Sequence, residues 1–94
     1  MTDRSAIRVQ VRYVGRVQGV GFRATCRWIA QTHPVTGWVR NEPDGTVLLE
    51  AQGAGAEVER FLQAIDARLG ENIRNRTRSA LPTLAGESDF MIAR

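Results

Sequence analysis

The first ordered pattern in the chain is an alternation. Ile7, Val9, Val11 and Tyr13 alternate with Arg8, Gln10 and Arg12, the period of a strand with one buried face. After a glycine-rich stretch the period lengthens. Phe22, Cys26, Ile29 and Ala30 recur at spacings of three and four, predicting an amphipathic helix from Gly21 to about Thr32. His33-Pro34 ends it, because proline disfavours helical backbone in the residue before it. Val35 to Asn41 reads as a second strand, with Val35, Gly37 and Val39 on one face and Thr36, Trp38 and Arg40 on the other. Thr46 to Gln52 reads as a third, and the Asp44-Gly45 step between them predicts a hairpin with a tight primed turn. Val58, Phe61, Leu62, Ile65 and Leu69 mark a second helix, with Gly70 placed to stop it. A weaker strand over Asn72 to Leu81, a turn over Pro82 to Ser88 and a short strand at Phe90-Met91-Ile92 complete the chain.

Strand, helix, strand, strand, helix, strand, with a short strand appended, suits an α+β split β-α-β sandwich in which two helices cover one face of an antiparallel sheet. A doubly wound parallel sheet is disfavoured, because the Asp44-Gly45 hairpin sets its two strands antiparallel. Ninety-four residues, 1–94, make one domain with one core. With 43% hydrophobic and 24% charged residues the composition is that of a soluble globular protein. No apolar run reaches the roughly 18 residues of a membrane span, and Met1-Thr2-Asp3-Arg4-Ser5 lacks a signal-peptide core, so the expected location is the cytoplasm. Cys26 is the only cysteine. That excludes an internal disulfide and a multi-cysteine zinc site, and its place on the apolar stripe predicts a buried, inert thiol. The net charge is +3 and all 13 basic residues are arginine, an excess that suits an anionic ligand but falls short of a nucleic-acid binder's basic face.

The candidate chemistry lies in Gly15-Arg16-Val17-Gln18-Gly19-Val20-Gly21-Phe22-Arg23, between a strand and a helix. Glycines let successive amide N–H groups face one concavity and let a ligand approach the main chain. The first amides of the following helix, which lack intrahelical partners, extend that anion site. The guanidinium of Arg23 can grip two phosphate oxygens at once. The same residues also suit an ordinary glycine-rich turn followed by a surface arginine. Asn41, ending the second strand, is the candidate for holding a water in line with a bound phosphorus, since an amide both donates and accepts. Asparagine equally often terminates a strand and starts a turn. The sequence offers no carboxylate cluster for a metal, no second histidine and no Ser/His/Asp order. His33 belongs to the far end of its helix, and Glu42, next to Asn41, points to the opposite face. A phosphoryl-transfer site without an acid for the leaving group needs a substrate whose leaving group is already good, such as an acyl phosphate or carbamoyl phosphate.

Gly15 to Arg23, followed by Thr36-Gly37-Trp38-Val39-Arg40-Asn41 and then Asp44-Gly45, resembles the acylphosphatase family. The similarity is close from about Ile7 to Leu69 and looser through Ile73-Arg74-Asn75-Arg76-Thr77 to Phe90-Met91-Ile92. The resemblance implies a ferredoxin-like fold and hydrolysis of the carboxyl-phosphate bond to a carboxylate and inorganic phosphate, with neither metal nor other cofactor. It implies that Arg23 and the backbone amides of Gln18, Gly19, Val20, Gly21 and Phe22 bind the phosphoryl group, that Asn41 orients the attacking water, and that the protein is a monomer. The partner expected is therefore a small acyl phosphate, with no nucleic acid and no membrane.

Two other readings compete. One is a carbamoyl-phosphate-cleaving module like the domain of this family in hydrogenase maturation proteins, which is fused to further domains, whereas this sequence stops at Arg94. The other is a non-catalytic anion- or RNA-binding module on the same fold, for which only Tyr13 and Trp38 offer aromatics on central strands. Two departures from the family pattern stand away from both motifs. His33-Pro34-Val35 replaces a short glycine-containing turn, and Arg74, Arg76 and Arg78 make the fourth strand basic, where they are expected to guard an edge against aggregation.

Overall fold

The computed structural model describes residues 5–94, so Met1 to Arg4 of the segment read for a signal peptide lie outside the described residues. The elements are β1 (Ala6–Gly15), α1 (Phe22–Ala30), β2 (Thr36–Asn41), β3 (Val47–Ala54), α2 (Gly55–Leu69), a 3₁₀ turn (Gly70–Asn72), β4 (Ile73–Leu81) and β5 (Phe90–Ile92). The five strands form one sheet in the order β4-β1-β3-β2-β5. The fold is α+β and ferredoxin-like, with β5 added at one edge.

The alternation in β1 builds the core. Val9, Val11 and Tyr13 join Val39 of β2 and Val47, Leu49 and Ala51 of β3 against Phe22, Cys26 and Ile29 of α1 and Val58, Phe61 and Ile65 of α2, all buried. Both helices thus seal the face that the period-two pattern marked. Gly37 lets β2 approach β3 closely. A Cβ built there would lie 1.9 Å from Glu50 O, at a φ of +145° that side-chain-bearing residues rarely adopt.

Three expectations are corrected. The sheet is not wholly antiparallel: β5 pairs with β2 in parallel, Gly37 opposite Phe90 and Val39 opposite Ile92. The chain leaves β4 at one edge and must cross the sheet to reach the other, so it arrives running with β2. The hairpin is present, but its turn is not the tight primed form. Gly45 N–H donates to Glu42 O at 3.1 Å with Pro43 and Asp44 between, and among these residues only Gly45 has positive φ, +91°. Proline at the second position fits a common turn closed by a left-handed glycine. Gly70 follows the last residue of α2 but keeps right-handed helical backbone. The helix tightens into the 3₁₀ turn instead of stopping at a left-handed cap.

The uncovered face of the sheet is organised by a charge that alternation had assigned to solvent. Arg8 is only 2% exposed. Its Nε donates to Glu50 at 2.8 Å, and its Nη1 donates to Gln52 at 3.1 Å and to Glu87 at 2.8 Å. Gln52 also exchanges hydrogen bonds with both backbone groups of Leu84, at 2.9 and 2.8 Å. Residues 82–89 are in this way strapped over that face, which covers Arg8 and delivers β5 to β2. Two of the three arginines of β4 are tied down as well: Arg76 pairs with Asp66 at 3.1 Å and Arg78 with Glu59, both on α2.

Candidate active site

β1 hands the chain to a loop that turns back into α1. Gly21 is the N-cap of α1 with left-handed backbone, φ +77° and ψ +20°, and no side chain caps the helix. The first ladder bond runs from Thr25 N–H to Gly21 O at 3.0 Å, so the amides of Phe22, Arg23 and Ala24 precede the intrahelical ladder. A φ of +77° at Gly21 carries no penalty only because it lacks a Cβ. Val17 and Phe22 anchor the two arms of the loop in the core, 1% and 2% exposed, and the Phe22 ring packs on Tyr13 at 5.1 Å. The peptides between these anchors are held in place while Val20 projects outward, 39% exposed.

The second component is the end of β2. Asn41 is the last residue of that strand, and its Oδ1 is buried without a hydrogen-bond partner. Glu42 turns the other way, accepting from Arg40 Nε at 2.8 Å, as alternation requires. Gln18 links the two components: its Nε2 donates to Glu42 O at 2.8 Å and to Thr46 O at 2.9 Å.

Loop, helix start and strand end enclose a cavity of about 200 Å³ lined by Gly19, Gly21, Phe22, Arg23, Asn41 and Ile92, with Val17 and Ala24 beside them. Arg23 and Asn41 therefore face one space. Of the residues expected to form the cradle, Gly19, Gly21 and Phe22 line this space, whereas Gln18 and Val20 do not. Two contributions escaped sequence reasoning. Ile92 reaches the cavity through the parallel β2–β5 pairing, which no periodicity encodes. The side chain of Gln18 acts through backbone carbonyls far along the chain, and spacing carries no signal for such acceptors.

The electrostatics of the cavity favour an anion. Among the described residues, Arg23 takes part in none of the ion pairs that occupy Arg8, Arg12, Arg40, Arg60, Arg76 and Arg78. Its charge is left uncompensated beside the helix N-terminus, whose dipole has the same sign. The remaining reactive groups are inert or remote. Burial pushes the Cys26 thiol up to about 12, far from the range in which a thiolate forms at neutral pH. Burial likewise holds the Tyr13 hydroxyl well above its ordinary value, and at 1% exposure its ring is no stacking platform. His33 Nδ1 lies 3.0 Å from Ile29 O at the end of α1, away from the cavity. Among the described residues no group of three or more His, Cys, Asp or Glu side chains is placed to hold a metal, and no helix is long and apolar enough to cross a membrane.

The profile of the acylphosphatase family matches residues 9–92, from β1 to the end of β5. The chain belongs to the acylphosphatase family. An acylphosphatase of Pediococcus pentosaceus is 37% identical over 86 residues, covering 89% of this chain and 94% of the relative. One from Salinibacter ruber is 53% identical over 58 residues, a stretch that covers 62% of this chain and 61% of the relative. The crystal structure of the acylphosphatase from Bacillus subtilis superposes with a TM-score of 0.82 at 27% identity, over 94% of this chain and 99% of that one. The acylphosphatase relatives and the shared fold make this protein a hydrolase of the acylphosphatase type, and the cavity beside Arg23 and Asn41 is its candidate active site.

Proposed function

We propose that the chain is a single acylphosphatase domain that hydrolyses the carboxyl-phosphate bond of small acyl phosphates without a metal ion, with Arg23, Asn41 and the glycine loop as its machinery. One observation carries this reading: Asn41, whose buried Oδ1 has no hydrogen-bond partner, lines the same cavity as an arginine without an ion-pair partner and the glycine backbone at a helix start. A buried acceptor without a partner costs about 1–3 kcal/mol, and a water that donates to it removes that cost.

The steps follow from these positions. The phosphoryl oxygens sit against the loop amides, with the helix start and Arg23 supplying positive charge where the transition state spreads negative charge over the equatorial oxygens. Asn41 Oδ1 accepts a hydrogen bond from the attacking water and turns a lone pair toward phosphorus. The water oxygen–phosphorus bond forms as the bond from phosphorus to the acyl oxygen breaks. The acyl group departs as a carboxylate, which is stable at neutral pH and needs no proton. The water's proton passes to a phosphoryl oxygen of the substrate, which suits a loose transition state in which deprotonation of the nucleophile is late. Products are the carboxylate and inorganic phosphate.

The test is hydrolysis of benzoyl phosphate in EDTA, with p-nitrophenyl phosphate alongside. Turnover of the first that survives the chelator, with little of the second, is expected, because the phenolate is the poorer leaving group and no acid is placed to assist it. Loss of activity in EDTA that returns with a divalent cation would overturn the metal-free reading.

A further inference from the structure

The loop that would hold phosphate and the asparagine that would hold water belong to different segments, and in-line attack requires their separation to be fixed. A misplacement of ~1 Å at a reacting centre costs about 10²-fold in rate. β1 and β2 are not neighbours in the sheet, since β3 lies between them, so the ladder sets their relation only through a third strand. Among the described residues, one side chain of the loop bonds directly to the hairpin. Gln18 Nε2 donates to Glu42 O at 2.8 Å, one residue beyond Asn41, and to Thr46 O at 2.9 Å on the returning arm.

Glu42 N–H also donates to Thr46 O at 2.9 Å, so Gln18 closes the neck of the hairpin where its arms begin to diverge. The neck is braced from outside too. Arg12 Nη1 donates to the Thr46 hydroxyl at 2.8 Å, and Asp44 accepts from Thr46 N–H and Oγ1 at 3.0 and 2.6 Å. The hairpin is therefore rigid in itself, and the Gln18 amide is what joins it to the loop. Since the Gln18 side chain does not line the cavity, it is free to serve as that strut.

We propose that Gln18 is a positioning residue for acyl-phosphate hydrolysis, its side-chain amide setting Asn41 at its working distance from phosphate held in the loop. The proposal rests on the roles given to Asn41 and the loop under Proposed function. Both amide protons are used, one per carbonyl. Gln18→Met keeps the length without donors. Gln18→Glu keeps the shape but presents oxygens to two carbonyls.

The experiment measures kcat for benzoyl phosphate and the inhibition constant of inorganic phosphate in wild type, Gln18→Met, Asn41→Ala and the double variant, with a melting curve for each. Gln18→Met is expected to lower kcat by about 10- to 100-fold, the range for a displaced reacting group, while the phosphate inhibition constant moves by less than about threefold. In the Asn41→Ala background the same change is expected to cost less than about threefold, because residues that act as a unit are not additive. A phosphate inhibition constant that rises as far as kcat falls would show that Gln18 only holds the cradle, and the proposal fails. Full additivity with Asn41→Ala, or an unchanged kcat, overturns it as well. Should Gln18→Met not fold, Gln18→Glu carries the comparison, and unfolding of both would make Gln18 a stability residue and end the proposal. An Asn41→Ala variant with normal kcat would instead remove the underlying role of Asn41 and this inference with it, a different signature from additivity.

Discussion

Arg8 on the first strand and Glu87 near the chain's end meet through two hydrogen bonds, from Nη1 to Oε1 at 2.8 Å and from Nη2 to Oε2 at 3.2 Å. The pair ties β1 to the segment that crosses the open face, and Glu50 holds the remaining side of the guanidinium at 2.8 Å. Burial pulls the Arg8 pKa down, but the hydrogen bonds and charges of Glu87 and Glu50 outweigh it and hold it above the usual arginine value.

Glu87 feels the reciprocal effect. Burial pushes its carboxyl up, while hydrogen bonds from Arg8 and Thr36 and the Arg8 charge prevail and hold it below the usual carboxylate range. A depressed folded pKa stabilises above the ordinary glutamate value, about 4.3, and the contribution is lost as pH falls through the folded value. Glu87→Gln is expected to lose about 1.5–3 kcal/mol at neutral pH, the range for a hydrogen bond to a charged group. Its melting temperature should also fall less than the wild type's between pH 6 and pH 3. Parallel melting curves for the two proteins across that window would contradict the assignment.

Gly37 is the tightest point of the β2–β3 contact, with Glu50 O 1.9 Å from where a Cβ would stand. The obstacle is backbone, which cannot swing aside as a side chain can. Gly37→Ala is expected to destabilise by about 3 kcal/mol or more, at the top of the range for overpacking with the unfavourable φ added. Urea unfolding would measure it, and a loss below 1 kcal/mol would mean that β2 can slide.

Arg23→Ala removes the one full charge found in the cavity lining. Inhibition by inorganic phosphate is expected to weaken by about 100-fold or more, the equivalent of one or two charge-assisted hydrogen bonds at 1.5–3 kcal/mol each, and turnover should fall with it. Arg23→Lys should recover only part of both, since an ammonium cannot grip two oxygens in a plane. Unchanged phosphate inhibition in the alanine variant would place the anion elsewhere.

Asn41→Ala should separate binding from turnover. Phosphate inhibition is expected to stay within about threefold, whereas the barrier rises by about 2–4 kcal/mol, the cost of losing one well-placed polar group. Because the buried Oδ1 has no protein partner, the substitution leaves no protein donor stranded, and the melting temperature should hold.

The part of this architecture legible in the sequence is the part written in local periods. Val9, Val11 and Tyr13 alternate because the sheet pleats, and Val58, Phe61, Leu62, Ile65 and Leu69 follow 3.6 residues per turn because α2 lays one face on that sheet. Two of the three corrections arise where the local signal was ambiguous. Asp44-Gly45 suits a primed turn, but Pro43 ahead of it sets up a different turn, with Gly45 alone left-handed. Gly70 resembles a cap, yet the chain tightens into a 3₁₀ turn before Ile73 begins β4.

The sequence by itself determined the elements and their order, because backbone freedom and side-chain period are properties of a few neighbouring residues, whereas the pairing of the glycine loop with Asn41 came from the family resemblance. Only the tertiary structure decided what depends on residues distant in the chain. It buried Arg8, which alternation had sent to solvent, by bringing Glu50, Gln52 and Glu87 around it. It set β5 parallel to β2 and so delivered Ile92 to the cavity. It also placed the Gln18 side chain outside the cavity lining and onto two carbonyls of the hairpin. The physical reason is common to all three. Burial of a charge, pairing of an edge strand and the choice of a hydrogen-bond acceptor are settled by which partners lie within a few ångströms, and that proximity arises only when the chain has closed its sheet.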